Sequence, residues 1–135
     1  MAVAAVLLLI VGSGTVGWWW RSGHATTSEE YVAPTADQTW RLGSIVVNIA
    51  KTNGRRYLKT TIELGLAEGT RKKTLEEIRS VLRDASLGVL ATAPLDELLD
   101  AERREDLKER LLERLNDAAG APVLTHVLLT EFIVQ

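Results

Sequence analysis

The chain has 135 residues, with 16 Lys and Arg against 18 Asp and Glu, and its formal net charge is −2. A chain of this length holds one ordinary domain, and its balanced charge disfavours a nucleic-acid-binding protein, which normally concentrates basic residues on one face. The absence of cysteine excludes disulfides, thiol chemistry, cysteine-based zinc sites and an acylated N-terminal cysteine.

Residues 1–20 are predicted to form a transmembrane helix. The segment holds no charged side chain, and at ~1.5 Å per residue a helix from Ala2 to Trp20 would span about 28 Å, close to the thickness of a bilayer core. The segment ends with Trp18, Trp19 and Trp20, which are expected to form an aromatic belt at the membrane interface, with Arg21 among the lipid headgroups. A cleaved signal peptide is the alternative, but no basic residue precedes the apolar run and tryptophans occupy the place of a cleavage site.

The orientation of this anchor is left open by the charges. Arg21 is the nearest basic residue, and the positive-inside rule applied to it alone would put the following domain in the cytoplasm. A basic tail upstream of Met1 would reverse that assignment.

Residues 21–39 are small and polar, without apolar periodicity, and are predicted to be a flexible linker. As a coil, a linker of this length holds the next domain on the order of 25 Å from the membrane. The folded domain is therefore expected to occupy residues 40–135.

A β-hairpin is predicted at the start of this domain. Residues 42–50 are apolar and β-branched, and residues 56–67 alternate between apolar and polar. Between them, Asn53-Gly54 is a strong signal for a two-residue turn, because both central positions of that turn need positive φ. The register that follows brings the apolar faces of the two strands together. It pairs Ile49 with Leu58, Val47 with Thr60, and Ile45 with Ile62.

Helices are predicted next. Thr74 and Glu77 have the spacing of a capping box, and an apolar stripe follows from Leu75 to Val89. Pro94 marks a second helical start, with acidic residues in its first turn. Residues 100–106 lack an apolar stripe and are expected to bend.

A third strand is predicted at the end of the chain. Gly120 is expected to cap the preceding helix. Residues 123–135 are apolar on both faces, which favours a strand inside the sheet. The order β-β-α-α-β predicts an α+β domain with helices packed on a short sheet.

No catalytic, cofactor-binding or metal site is predicted, so an enzyme or a small-molecule substrate is not expected. His24 lies in the linker and His126 in the last strand, where a single histidine is typically structural; a hydrolase or ligand-binding site around His126 is the alternative. Neither a zinc-protease motif, a nucleophile elbow nor a glycine-rich phosphate loop is present.

The charged run from Asp96 to Asp117 is interpreted as a solvated helix face. Its i,i+4 spacings predict ion pairs between Asp100 and Arg104 and between Asp106 and Arg110. The alternative is a charged surface for a partner subunit.

The sequence S-I-V-V-N-I-A, followed by a turn and G-R-R-Y-L-K-T-T-I-E-L, resembles the FliL family of flagellar basal-body-associated proteins. The runs I-R-S-V-L-R-D, L-A-T-A-P-L-D-E-L-L and L-K-E-R-L-L-E-R-L-N are similar to the helices of that family, and T-E-F-I-V-Q to its last strand. The resemblance covers roughly residues 42–135.

This resemblance implies a bacterial inner-membrane protein with a single membrane pass and a periplasmic, stomatin-like domain. The protein would form a homo-oligomer, as a ring, around or beside a MotA/MotB-type stator and support torque and motility, without catalytic residues or a cofactor. Family members usually carry a basic tail before the anchor, whereas here Met1 opens directly on it. The alternative is a stomatin-like membrane scaffold unrelated to flagella.

Candidate contacts with a partner or a second subunit are chosen from expected exposure alone. They are Tyr57, Lys59, Arg103 and Arg104.

Overall fold

The computed structural model describes residues 38–135, which fold into a three-stranded antiparallel sheet and four helices. The elements are β1 (Thr39–Asn48), β2 (Tyr57–Leu66), α1 (Lys72–Glu77), α2 (Arg79–Thr92), α3 (Leu95–Leu99), α4 (Ala101–Ala119) and β3 (Leu124–Val134). The predicted α+β class is confirmed. The predicted transmembrane helix, its interfacial residues 18–21 and nearly all of the predicted linker lie outside the described residues.

Within residues 38–135, no helix combines the length and the apolar character that crossing a membrane requires.

The sheet has the order β1-β2-β3, so β2 is the central strand and β3 is an edge. The prediction that β3 lies inside the sheet is therefore wrong. Apolar residues on both faces of β3 suggested cover on both sides, but Ile133 on its outward face is 38% exposed. In contrast, Leu58 and Thr61 lie on opposite faces of β2 and are both buried, because neighbouring strands shield the central strand from both sides.

The predicted tight turn at Asn53-Gly54 is confirmed. The two residues have φ angles of 53° and 69°, both in the left-handed region that such a turn requires. The backbone N–H of Arg55 donates to the carbonyl oxygen of Thr52 at 3.1 Å and closes the turn.

The predicted hairpin register is wrong by two residues. Val47 faces Leu58, and the Ile49 N–H donates to the Arg56 carbonyl oxygen at 2.9 Å. The shift arises because Ala50 and Lys51 extend the loop on the β1 side only, with Lys51 in a left-handed conformation at φ 59°. A shift of two keeps every side chain on its original face, so the apolar faces still coincide.

The helical layer begins earlier than predicted, and the capping box does not form. Arg71 occupies the cap position of α1, and no side chain caps the helix. Thr74 already lies inside the first turn, where its N–H bonds to the Arg71 carbonyl oxygen at 3.0 Å. The predicted long stripe is divided between α1 and α2 at Ile78, whose φ of −107° and ψ of 13° are not helical.

The second helical region follows the prediction closely. Pro94 precedes α3, and the expected bend occurs at Asp100, which has an extended backbone. The Asp100 carboxylate accepts hydrogen bonds from the N–H groups of Glu102 at 2.8 Å and Arg103 at 3.2 Å, and this cap starts α4. Gly120, at φ 75°, ends α4 as predicted.

The core lies between the helices and one face of the sheet. Helix α4 packs on α2 and β3, and α2 packs on β1. The inward stripe of α4 has an exposed fraction of zero at all three of its leucines, Leu107, Leu111 and Leu115. The opposite face of the sheet carries no helix among the described residues.

Candidate partner-binding surfaces

A polar network joins all three strands on the face of the sheet that the helices leave uncovered, which we name the open face. Lys59 Nζ donates to Glu131 Oε1 at 2.9 Å, and the Thr61 hydroxyl donates to Glu131 Oε2 at 3.0 Å. Ser44 Oγ lies 2.8 Å from Thr61 Oγ1. Because the Thr61 hydrogen is directed at the carboxylate, Ser44 is the donor in that bond.

The charge of Glu131 is stabilised by this network. The Lys59 ammonium and then the Thr61 hydroxyl hold the pKa of the Glu131 carboxyl below its ordinary value, and the charge of Arg41 acts in the same direction. Two apolar side chains flank Lys59 in its cross-strand row, Val46 with 59% and Ile133 with 38% exposure. The open face thus places exposed apolar side chains on both sides of an ion pair, which makes it a candidate surface for a partner.

His126 lies on the open face beside Gly65, its cross-strand neighbour. Its Nδ1 is 2.8 Å from Thr125 Oγ1. A Cβ atom on Gly65 would lie 2.9 Å from that hydroxyl oxygen and 3.1 Å from the imidazole nitrogen, so the glycine leaves the room that the imidazole occupies. Within residues 38–135, no group of three His, Cys, Asp or Glu side chains is arranged to hold a metal ion.

Part of the outer edge of β1 is covered by two arginines of α2. Arg79 Nη1 donates to the carbonyl oxygens of Arg41 at 3.0 Å and Leu42 at 2.7 Å, and Arg83 Nη2 donates to that of Ser44 at 2.9 Å. Leu42 is an extra residue in β1, where the pairing with β2 shifts. These outward carbonyl groups are the ones that an added strand would use, so the arginines close this part of the edge.

Arg79 is itself held by an ion pair and an aromatic ring. Its Nε and Nη2 donate to the two carboxylate oxygens of Glu76 at 2.9 and 2.6 Å, and its guanidinium lies 4.5 Å from the centre of the Trp40 ring. The Trp40 indole N–H also donates to Glu76, at 2.8 Å. Hydrogen bonding from Arg79, then from Trp40, lowers the pKa of Glu76, and Glu76 raises the pKa of Arg79.

The i,i+4 ion pairs predicted along α4 do not form. The Asp100 carboxylate caps the helix instead of binding Arg104, and Arg110 turns away from Asp106 towards α3. Arg110 Nη2 lies 2.7 Å from Oε1 of Glu97, whose side chain is nearly buried. The two groups form an ion pair, but their angles are not those of a hydrogen bond. Spacing along one helix missed these pairs because the preferred partners lie on the preceding helix.

Arg103 is likewise engaged with α3. Its guanidinium binds the Asp96 carboxylate. This contact lowers the pKa of Asp96 and raises the pKa of Arg103. Arg103 is therefore already neutralised within the domain.

Arg104 lies on the other side of α4, with its guanidinium 5.2 Å from the centre of the Phe132 ring. Its Nε donates weakly to the Asp100 carbonyl oxygen at 3.4 Å, and it has no ion-pair partner within the described part of the chain. A cleft of about 230 Å³, which we name the α4–β3 cleft, opens beside it. The lining residues are Ala101, Arg104, Glu105, Lys108, Leu129 and Phe132.

Residues 39–135 match the family described as flagellar basal body-associated protein FliL. The chain belongs to the FliL family. It is 28% identical over 90 residues to the flagellar protein FliL of Aquifex aeolicus (strain VF5), an alignment that covers 67% of this chain and 56% of that relative. The chain thus spans little more than half the length of this FliL protein. The resemblance found in the sequence is confirmed.

The contacts predicted for this FliL-family chain fall on two separate surfaces. Tyr57 and Lys59 lie on the open face, where the Tyr57 hydroxyl donates to the Gln135 side-chain oxygen. Arg103 and Arg104 lie on α4, in the layer on the opposite side of the sheet. Sequence reasoning missed Glu131 as the centre of the open face and the arginines of α2 at the β1 edge, because both depend on strand order and register.

Proposed function

We propose that this chain is a non-enzymatic component of the flagellar basal body, anchored in the bacterial inner membrane with its domain in the periplasm. It supports torque and motility beside a MotA/MotB-type stator. The observation that carries the proposal is the FliL match, which spans the described domain from its first strand to its last residue. The apolar segment at residues 1–20 and the polar linker after it supply the anchor and the reach.

The surfaces of the domain favour protein binding over catalysis. On the open face, the polar groups bond to one another and lie beside exposed apolar side chains. Such a surface offers shape and fixed charge to a partner, whereas a reaction site needs a nucleophile or a base held ready for a substrate.

Two different surfaces also support assembly into a homo-oligomer. Tyr57 and Lys59 lie on one side of the sheet, and Arg103 and Arg104 lie in the helical layer on the other. When the surface of one copy binds a different surface of the next, the contact generates a ring if the rotation closes. We propose these four residues as contacts with neighbouring subunits or with stator and basal-body proteins.

The proposal is tested by deleting the gene in the native host and measuring swimming and swarming. Both are expected to fall and to be restored by the full chain. A Lys59→Ala chain should restore motility less well, because it removes the cation that pairs with Glu131 on the open face. Arg55→Ala, at an exposed position of the hairpin loop, is the matched control. Unchanged swimming and swarming after deletion would refute the flagellar role.

Crosslinking in native membranes identifies the partners. The flagellar proposal expects stator or basal-body proteins and copies of the chain itself among the products. The second candidate, a stomatin-like membrane scaffold unrelated to flagella, expects copies of the chain and non-flagellar membrane proteins, with normal motility. The two candidates share the anchor and the oligomer, so the identity of the crosslinked partners separates them.

A further inference from the structure

The outer edge of β3 presents unpaired backbone groups near the end of the chain. Tyr57 and Gln135 exchange two backbone hydrogen bonds, of 2.7 and 2.9 Å, across β2 and β3. Because inward and outward groups alternate along an antiparallel strand, the N–H and C=O groups of Phe132 and Val134 point away from β2. Within residues 38–135 these groups meet no partner strand.

Two other stretches of the sheet edges are covered. The arginines of α2 bind the carbonyl groups of Arg41, Leu42 and Ser44 on the outer edge of β1. At the beginning of β3, the Asn116 side chain donates to the Leu124 carbonyl oxygen at 3.0 Å and accepts from the Leu124 N–H at 2.9 Å. The Asn116 amide binds the backbone groups that a neighbouring strand would bind, so the unpaired part of the β3 edge begins only after Leu124.

The α4–β3 cleft lies beside the available part of the edge. Its floor is apolar, formed by Leu129 and Phe132, and its wall on α4 carries Arg104 and Lys108. Lys108 Nζ forms an ion pair with Glu105 Oε1 at 2.7 Å. In contrast, the charge of Arg104 has no carboxylate partner among the described residues. The cleft therefore combines apolar contact with one uncompensated positive charge.

We propose that the α4–β3 cleft binds an extended segment of a partner polypeptide, which adds as a fourth strand to the edge of β3. The backbone of the segment would bond to the outward groups of Phe132 and Val134. Alternate side chains of a strand face the same side, so an acidic side chain would lie beside Arg104 and an apolar one, two residues away, over Leu129. Strand addition gives affinity through the main chain and specificity through the cleft.

The recognition pattern is thus an acidic residue, any residue and an apolar residue in an extended segment. Charge complementarity with Arg104 selects this pattern over a basic or purely apolar one. The inference goes beyond the proposed function and does not depend on it, because a strand-binding cleft serves a flagellar or a non-flagellar partner equally. Loss of the flagellar role would leave the binding measurement below unchanged.

The test uses the full chain in detergent and fluorescence anisotropy of a labelled peptide of about eight residues, a usual strand length. Glu and Val in this peptide occupy alternate positions on one face, with Thr between them. One matched peptide carries Lys in place of Glu. A second carries N-methyl groups on the amides that would face β3. We expect the acidic peptide to bind and both matched peptides to bind at least about tenfold more weakly.

A charge-reversal variant tests the cleft itself. Arg104→Glu should weaken binding of the acidic peptide on the order of tenfold and strengthen binding of the Lys peptide. Arg114→Glu, at an exposed position nearer the end of α4, is the matched control and should bind the acidic peptide as the unchanged chain does. Circular dichroism checks that both variants fold.

Three results would overturn the inference. Equal binding of the N-methylated peptide would exclude strand addition. Equal binding of the acidic peptide to the Arg104→Glu chain would exclude the cleft. A chain that binds no peptide, but whose mass by light scattering falls on Arg104→Glu substitution, would assign the edge to a second copy instead of a partner.

Discussion

Leu111→Ala tests whether α4 is fixed to the sheet as described. The side chain of Leu111 is fully buried, and the substitution removes three carbon atoms from the core. At ~0.8 kcal/mol for each buried methylene, the transfer cost alone is about 2.4 kcal/mol. The void left behind adds to this cost, and fully buried leucines replaced by alanine lose roughly 3 to 5 kcal/mol in total.

The free energy of unfolding is measured by urea titration of the full chain, followed by circular dichroism. In a domain of this size each kcal/mol corresponds to about 4 to 8 °C, so the midpoint of thermal unfolding should fall by roughly 12 °C or more. Leu112→Ala is the control, because Leu112 is the next residue of the same helix but is only partly buried. It should lose less than half as much. Equal losses of unfolding free energy at the two positions would refute the orientation of α4, in which Leu111 faces the core.

Two further predictions concern the open face. Gly65→Ala should lower the free energy of unfolding by about 1 to 3 kcal/mol, because the added Cβ would meet the hydroxyl and imidazole groups of β3 at 2.9 to 3.1 Å. Gly88→Ala is the matched control in helix α2. It should raise the free energy of unfolding by about 0.5 to 1 kcal/mol, because there is open space around the added Cβ. The reverse order would contradict the packing. Glu131 has a lowered pKa in the folded state, so its contribution to stability is complete above the ordinary glutamate pKa of about 4.3 and is lost as the pH falls through the lowered value. Glu131→Gln should therefore be less stable than the unchanged chain at neutral pH. In urea titrations at decreasing pH, the difference in unfolding free energy between the two chains should shrink. A difference that stays constant with pH would show that the ion pair contributes nothing.

The hairpin shows how far pattern reasoning reaches. Alternation identified which residues of β1 and β2 face the core, and the turn at Asn53-Gly54 follows from its need for positive φ. The predicted register is wrong because Lys51 also adopts a left-handed conformation, which its residue type does not predict. The apolar pattern has a period of two and cannot detect an error of two residues.

The candidate surfaces were predictable only in part. Exposure on β2 placed Lys59 on the open face, but its partner Glu131 comes from a strand that was expected inside the sheet. On α4, local spacing suggested pairs within the helix, whereas Arg110 binds Glu97 of α3. Such contacts depend on how elements pack in three dimensions, and a single sequence does not encode that directly in its spacings.

The two arginines over β1 limit how copies of this domain can associate through their backbones. A sheet with two available edges joins the first edge of one copy to the last edge of the next, and such a chain of copies has no natural end. Here Arg79 and Arg83 occupy three carbonyl groups along the first half of the β1 edge, those of Arg41, Leu42 and Ser44. Strand pairing between copies is therefore easier from β3 to β3 than from β3 to this part of β1, and a β3–β3 pair uses one edge of each copy and stops at two. The arginines therefore disfavour polymerisation into a continuous sheet where copies of the domain are crowded.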